Sequence, residues 1–290
     1  MISTVLIFLH IPKAAGSTVN GILTRQYGRS AYYRLAIPPE AKAKRDNLKT
    51  PGAFLGDPEY LEQIRLLSPD RLDRLRVLSG HVCYGVHEYL NSPARARYMV
   101  ILRDPVERLL SEYGYLRATR PQDYTMSLEA FIRDHHWIDN LQTRMLSSSN
   151  GLMVDLPFGG CDERHLGLAC QRLRGDVDLL GLQEAFDASL LLFQQMLGWK
   201  PPYYAYRNKT ADRATDIESR LREYVISANR LDSALYRTGL ETFERWISAH
   251  FSAAELDDRL VRFHRRNGLF SRGIAIADGA RTQLCRLKPR

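Results

Sequence analysis

Apolar and polar positions along this chain follow two rhythms. Val5-Leu6-Ile7-Phe8-Leu9 is an unbroken run of branched and aromatic residues, the pattern of a strand buried on both faces. Comparable runs stand at Leu75–Ser79, Tyr98–Leu102 and Val177–Leu182, and Tyr32–Leu35 reads as a further short strand. Between them the apolar residues recur at helical spacing: Val19, Ile22 and Leu23, then Leu109, Leu110, Tyr113 and Leu116. Further helices are predicted over 59–68, 127–147 with Ser127 as cap, 163–174 and 186–197. Residues 38–58 carry four prolines and two glycines and read as surface loop. From 213 onward the pattern is helical, with Thr215…Glu218 and Ser252…Glu255 as capping boxes and Phe243, Trp246 and Ile247 facing a core. Strands alternating with helices predict an α/β fold: three layers, a central mostly parallel sheet flanked by helices, and a helical C-terminal part. With no repeat or low-complexity linker, residues 1–290 read as one domain.

Candidate chemistry lies where strands give way to helices. After the first run come His10, Pro12, Lys13, the small residues Ala14, Ala15 and Gly16, then Ser17 and Thr18 opening a helix. A strand, a small-residue loop and a helix start aim backbone N–H groups at an anion, and Lys13 adds a charge. This is P-loop-like but not a Walker A motif, whose lysine follows the second glycine and precedes a magnesium-binding hydroxyl. The third run leads into Arg103-Asp104-Pro105-Val106-Glu107-Arg108-Leu109-Leu110-Ser111. Asp104 suits an N-cap, Pro105 position N1 and Glu107 position N3. Arg103 at the strand end and Ser111 two turns into the helix can converge on one phosphate. The second run ends in Gly80-His81, placing a histidine beyond a strand's carboxyl end, where open α/β sheets bind ligands. His87 is secondary.

HIPKAAGST, at residues 10–18, resembles the 5′-phosphosulfate loop of sulfotransferases that use 3′-phosphoadenosine 5′-phosphosulfate (PAPS), in the carbohydrate branch that includes heparan sulfate 2-O-sulfotransferase. R-D-P-x-x-R-x-x-S-x-Y, at 103–113, resembles that family's 3′-phosphate motif, and both stand in the family's order. The resemblance covers roughly 4–27, 75–117 and 177–247. It implies that Lys13, Ala14, Ala15, Gly16, Ser17 and Thr18 hold the 5′-phosphosulfate, and that Arg103 and Ser111 hold the 3′-phosphate. It also implies Arg207, Lys209 and Thr210 folding over the nucleotide, His81 as general base and Lys13 as catalytic cation. Asn140–Arg144 resembles a segment near the acceptor site, Gly181…Glu184 the family's late strand, and Leu231–Tyr236 the stretch before its closing helix. Residues 28–75 would form an acceptor-side loop region. The implied reaction moves a sulfuryl group from PAPS to an acceptor hydroxyl by in-line transfer, leaving PAP, with no metal required. A carbohydrate acceptor is the first expectation; a small metabolite or lipid hydroxyl, and a nucleotide-dependent kinase, stay open.

Composition narrows this only slightly. Hydrophobic residues make up 44% of the 290 and charged residues 26%, as in a soluble globular protein. The net charge of +8 suits an anionic ligand, whether nucleotide, acidic glycan or nucleic acid. A non-enzymatic nucleic-acid or glycan binder is therefore the third reading, set below the enzyme because the two phosphate motifs call for a nucleotide. Cys83, Cys161, Cys170 and Cys285 have no metal-site spacing, and pairing of Cys161 with Cys170 is left open. No apolar run approaches transmembrane length, and the first strand starts too early for a signal peptide. The family's eukaryotic Golgi enzymes carry an N-terminal anchor, so the expectation here is a cytoplasmic protein without membrane insertion.

Overall fold

A computed structural model describes residues 4–36, 58–90, 95–205 and 217–286. Five strands, β1 (Thr4–Leu9), β2 (Tyr32–Arg34), β3 (Val77–Gly80), β4 (Arg95–Leu102) and β5 (Val177–Leu182), form one sheet in the order β2-β3-β1-β4-β5. Every pairing is parallel, so the mostly parallel sheet expected from sequence is wholly so among the described residues. Ile7 and Phe8 of central β1 are fully buried. Burying each such side chain contributes about 1.5–3 kcal/mol. The strand order turns at β1: the chain runs outward to β2, returns through β3, and crosses to β4 on the other side. Such a switch point opens a crevice at the carboxyl edge.

Helix α1 (Gly16–Ala31) follows β1 and bends at Gly28, whose φ of 74° lies outside the helical range. Within 28–75 the described residues are largely regular, not loop. Tyr32–Arg34 pairs with β3, and α2 (Pro58–Arg65) and α3 (Pro69–Arg74) follow. Most of the proline-rich 38–58 lies outside the described residues. After β4 comes α4 (Pro105–Thr119), whose Val106, Leu109, Leu110 and Tyr113 pack into a second apolar cluster with Phe131 and Trp137.

The single helix expected over 127–147 is two, α5 (Leu128–Arg133) and α6 (Leu141–Ser147). The break falls where His135 and Asn140 take left-handed backbone, with φ of 55° and 48°. Next come α7 (Glu163–Gly175), α8 (Phe186–Leu197), α9 (Ser219–Ala228), α10 (Arg230–His250) and α11 (Ala253–Arg286). The Ser252 cap on α11 is present, with Glu255 N–H donating to Ser252 Oγ (3.3 Å). Thr215 of the other expected capping box lies outside the described residues. Cys83, Cys161 and Cys170 are free thiols, so Cys161 and Cys170 do not pair.

The break before α6 has a use. Asn140 Oδ1 accepts from the N–H groups of Leu231 and Asp232 (both 3.1 Å), capping α10. The Asp232 carboxylate in return accepts from Gln142 N (3.1 Å), Thr143 N (2.7 Å) and Thr143 Oγ1 (2.7 Å), capping α6. Two helix starts thus satisfy each other's orphan donors. Burial raises the Asp232 pKa, while the Thr143 and Gln142 donors and nearby Arg108 act in the opposite direction. The side chains of Asn140–Arg144 are buried, and those of Asn140 and Thr143 join the starts of α6 and α10.

Candidate active site

The carboxyl edge of the sheet gathers most of the residues singled out in the sequence. From β1 the chain passes through His10, Ile11 and Pro12 to Lys13 and Ala15, both in left-handed backbone with φ of 68° and 56°. Non-glycine residues in that region cost roughly 1–2 kcal/mol each. Reversals of this kind turn N–H groups into a concavity that suits an oxyanion. Ala15 is the N-cap of α1 and supplies no side-chain cap to the helix's first N–H groups. Ser17 is exposed and Thr18 partly so.

Arg103 reaches this loop from the end of β4. Its Nη1 donates to the Lys13 carbonyl at 2.6 Å, so the two candidate anion-binding stretches are in direct contact across adjacent strands. The Arg103 peptide is gripped from behind: its N–H donates to Gln142 Oε1 (3.0 Å) and its carbonyl accepts from Gln142 Nε2 (2.8 Å). Asp104 caps α4 as expected, accepting from Glu107 N at 3.0 Å. The Asp104 N–H donates to Glu184 Oε1 (3.1 Å), and Glu184 Oε2 accepts from Tyr236 OH (2.8 Å). Glu184 thereby ties the starts of α4 and α8 to α10.

Helix α4 sets Arg108, Ser111, Glu112 and Tyr115 along one face at i, i+3, i+4 and i+7. Lys13 Nζ rests 3.8 Å above the centre of the Tyr115 ring, a cation–π contact that brings this face to the loop. Fully buried Arg108 pairs with Glu112 (2.7 Å), while its Nε and Nη2 find no partner among the described residues. Burial first, and then the neighbouring Arg103 and Arg108, push the Lys13 ammonium down to about 8 against the pull of Glu112. A cation held down by burial and other cations is what an incoming anion relieves.

His81 follows β3 and lies beside β1's exit. Its Nδ1 is 2.8 Å from the His10 carbonyl oxygen. A carbonyl oxygen only accepts, so Nδ1 carries the hydrogen and Nε2 the lone pair. The His81 N–H donates to the hydroxyl of buried Tyr60 (3.0 Å). The His10 ring stacks on the His81 ring with centroids 4.0 Å apart. His87 is held elsewhere, with Nδ1 2.6 Å from Tyr98 OH on the amino-terminal half of β4. Arg207, Lys209 and Thr210 lie outside the described residues.

Sequence reasoning did not assign His10, Glu112 or Tyr115 a part in this site, and it carried Gln142 only within the Asn140–Arg144 segment. Only the position of His10, just ahead of the loop, signalled it. Gly16 is explained by His10: a Cβ built there would fall 1.6 Å from His10 Nε2. Gly16→Ala must drive the buried imidazole aside, lowering stability by about 1–3 kcal/mol and disturbing the His81 seat. Thermal melts together with turnover measurements check this; unchanged values in both would contradict the packing described.

A family profile of galactose-3-O-sulfotransferases matches residues 2–288, nearly the whole chain. No curated protein matches the chain. The match supports a carbohydrate sulfotransferase and does not single out the heparan sulfate 2-O branch expected from the first loop. It also overturns the cytoplasmic expectation, since galactose-3-O-sulfotransferases are Golgi membrane-type enzymes. Among the described residues no helix is long and apolar enough to cross a membrane.

Proposed function

The chain belongs to the galactose-3-O-sulfotransferase family, and from that premise we propose that it moves a sulfuryl group from PAPS to a sugar hydroxyl, with the 3-hydroxyl of a galactose residue as first candidate acceptor and His81 as base. The observation that carries this reading is the contact between Lys13 and Arg103, which joins two anion-binding stretches at one edge of the sheet. The fit to PAPS rests on the left-handed loop, the α1 start without a side-chain cap, and the depressed Lys13 ammonium.

PAPS supplies an activated sulfuryl group attached to a phosphate oxygen that becomes negative as the group leaves. Of the 14–18 loop, the N–H groups of residues 15–17, with the Ser17 and Thr18 hydroxyls, bind the 5′ end, since the Ala14 and Thr18 N–H groups donate to the Ile11 and Ala15 carbonyls (3.2 and 3.0 Å). Arg103 and Ser111 bind the 3′-phosphate and so distinguish PAPS from ATP; Arg207, Lys209 and Thr210 add contacts over the nucleotide. Lys13 stabilises charge where it grows. His81 Nε2 takes the proton of the acceptor hydroxyl. The chemistry is positioning and charge stabilisation, as in phosphoryl transfer.

Calorimetry with PAP and with ATP, both without magnesium, tests the donor. PAP should bind at least about tenfold tighter, the worth of one charge-assisted hydrogen bond at the 3′-phosphate. Equal affinities would point to a kinase-like nucleotide site. A panel of galactose-terminated and uronic-acid-containing glycans with labelled PAPS then tests the acceptor.

The Lys13 shift gives the pH dependence a sign. The pKa is lowered from 10.5 to about 8, so the free protein loses this proton at lower pH than an ordinary lysine. A bound anion favours the charged form, so binding takes up a proton above about pH 8 and PAP affinity falls as pH rises from there. Calorimetry in buffers of different ionisation enthalpy reads the uptake directly. Lys13→Ala should abolish that limb; its persistence there would assign it to another group.

A further inference from the structure

We propose that His10 is a positioning residue for His81: its neutral ring is the seat against which the base is held, and it fixes the base's distance from the anion loop. The inference rests on the reading of His81 as base.

His10 is placed to do this by contacts in several directions. Its ring lies against the His81 ring, centroids 4.0 Å apart and planes within 26°. On its other side it stacks with Phe8, at 5.6 Å and 11°. It also fills the space beside Gly16, the first residue of α1, where no Cβ could fit. One ring therefore separates and spaces the base and the start of the anion-binding helix. Its backbone carbonyl takes the Nδ1 hydrogen of His81. The same residue thus sets both the plane of the base and its tautomer.

The chemistry requires the seat to stay uncharged. His10 is buried, with 6% of its surface exposed, and its Nδ1 finds no partner among the described residues. Burial foremost, then the charges of His81, Arg34 at the end of β2, and Lys13 in the loop, hold its pKa well below the usual imidazole value. When His81 takes a proton it becomes a cation stacked on a neutral ring face, which is an attractive arrangement. Two protonated rings at that spacing would repel.

Removing the ring by His10→Ala opens a space into which His81 can turn away from the carbonyl. Turnover should then fall by about ten- to a hundredfold, the cost of a base misplaced by around 1 Å. PAP affinity should stay within about threefold, because a positioning role for the base leaves the 3′-phosphate contacts in place. Imidazole added to the His10→Ala protein should restore part of the lost turnover by refilling the seat. Side-chain nitrogen NMR gives a readout that does not depend on activity: His81 in the native protein should be the Nδ1–H tautomer, and in His10→Ala a mixture. An unchanged His81 tautomer and unchanged turnover in His10→Ala would overturn the proposal, as would parallel losses of turnover, PAP affinity and melting temperature.

Should His10→Ala fail to fold, titration of the native protein decides: His10 must stay neutral while His81 titrates, and the reverse order sinks the idea. His81→Ala is assayed alongside. Full turnover in that variant would remove the base reading, while the tautomer measurement still judges His10 by itself.

Discussion

His81→Ala should lower kcat by about 10²–10⁴-fold, the usual contribution of a positioned general base. PAP binding should be nearly unchanged, because His81 is not among the groups assigned to the nucleotide. The pH–rate profile should lose its acidic limb in the variant, since that limb reports the base becoming protonated. The geometry makes the assignment specific to one nitrogen. Nδ1 is committed to the His10 carbonyl at 2.8 Å, so only Nε2 can accept the acceptor's proton. His81→Gln, which cannot take up a proton at neutral pH, should be as slow as His81→Ala. Kinetics with saturating PAPS and a galactose-terminated acceptor check all of this. A variant within a few-fold of native turnover would move the base to another residue.

What could be read from the chain was what is local in it. β1 was legible because Val5 to Leu9 are all buried, so no polar position interrupts the run. The cap of α4 was legible because Asp104 and Glu107 meet three residues apart, at 3.0 Å. What joins the site together is not local. His10 and His81 are 71 residues apart in sequence, and Arg103 is 90 from Lys13, and neither approach leaves a mark on periodicity. The break between α5 and α6 was hidden for another reason. Apolar spacing continues through it, and the left-handed backbone falls on His135 and Asn140, where a glycine would have given it away. Asn140–Arg144 read as a polar stretch near a ligand, yet Gln142, Thr143 and Arg144 are among the most buried polar residues. The polarity serves buried partners: Thr143 binds Asp232 of α10, Gln142 the Arg103 peptide at the end of β4, and Arg144 the connections at 139 and 156–157, and residue type alone does not separate such uses from ligand contact. The position of the chain in the cell was misjudged because composition and apolar runs say little about it once the family is known.

The same buried network carries the largest stability prediction. Arg144 and Asp139 form an ion pair at 2.6 Å, with side chains 2% and 1% exposed. Arg144 also donates to the carbonyls of Asp139 (2.8 Å), Leu156 (2.8 Å) and Pro157 (2.9 Å), so its guanidinium knits the 156–157 connection to the start of α6. Asp139→Ala leaves that guanidinium charged and buried without its counter-ion. Breaking a buried pair from one side costs about 3–5 kcal/mol, and the melting temperature should fall by roughly 5–8 °C for a chain of 290 residues. Arg144→Met should be as damaging for a different reason: the charge is gone, but backbone carbonyls lose their donors, each at about 1–3 kcal/mol. Replacing both residues by apolar ones should therefore not restore stability, in contrast to an isolated pair. Urea and thermal unfolding of the single and double variants separate these contributions, and a double variant as stable as the native protein would show that the carbonyls find water instead. Because α6 carries Gln142, which holds the Arg103 peptide on both sides, the loss should reach the site as weaker PAP binding. Turnover at saturating PAPS should survive wherever the variant stays folded, since neither Asp139 nor Arg144 touches the reacting groups.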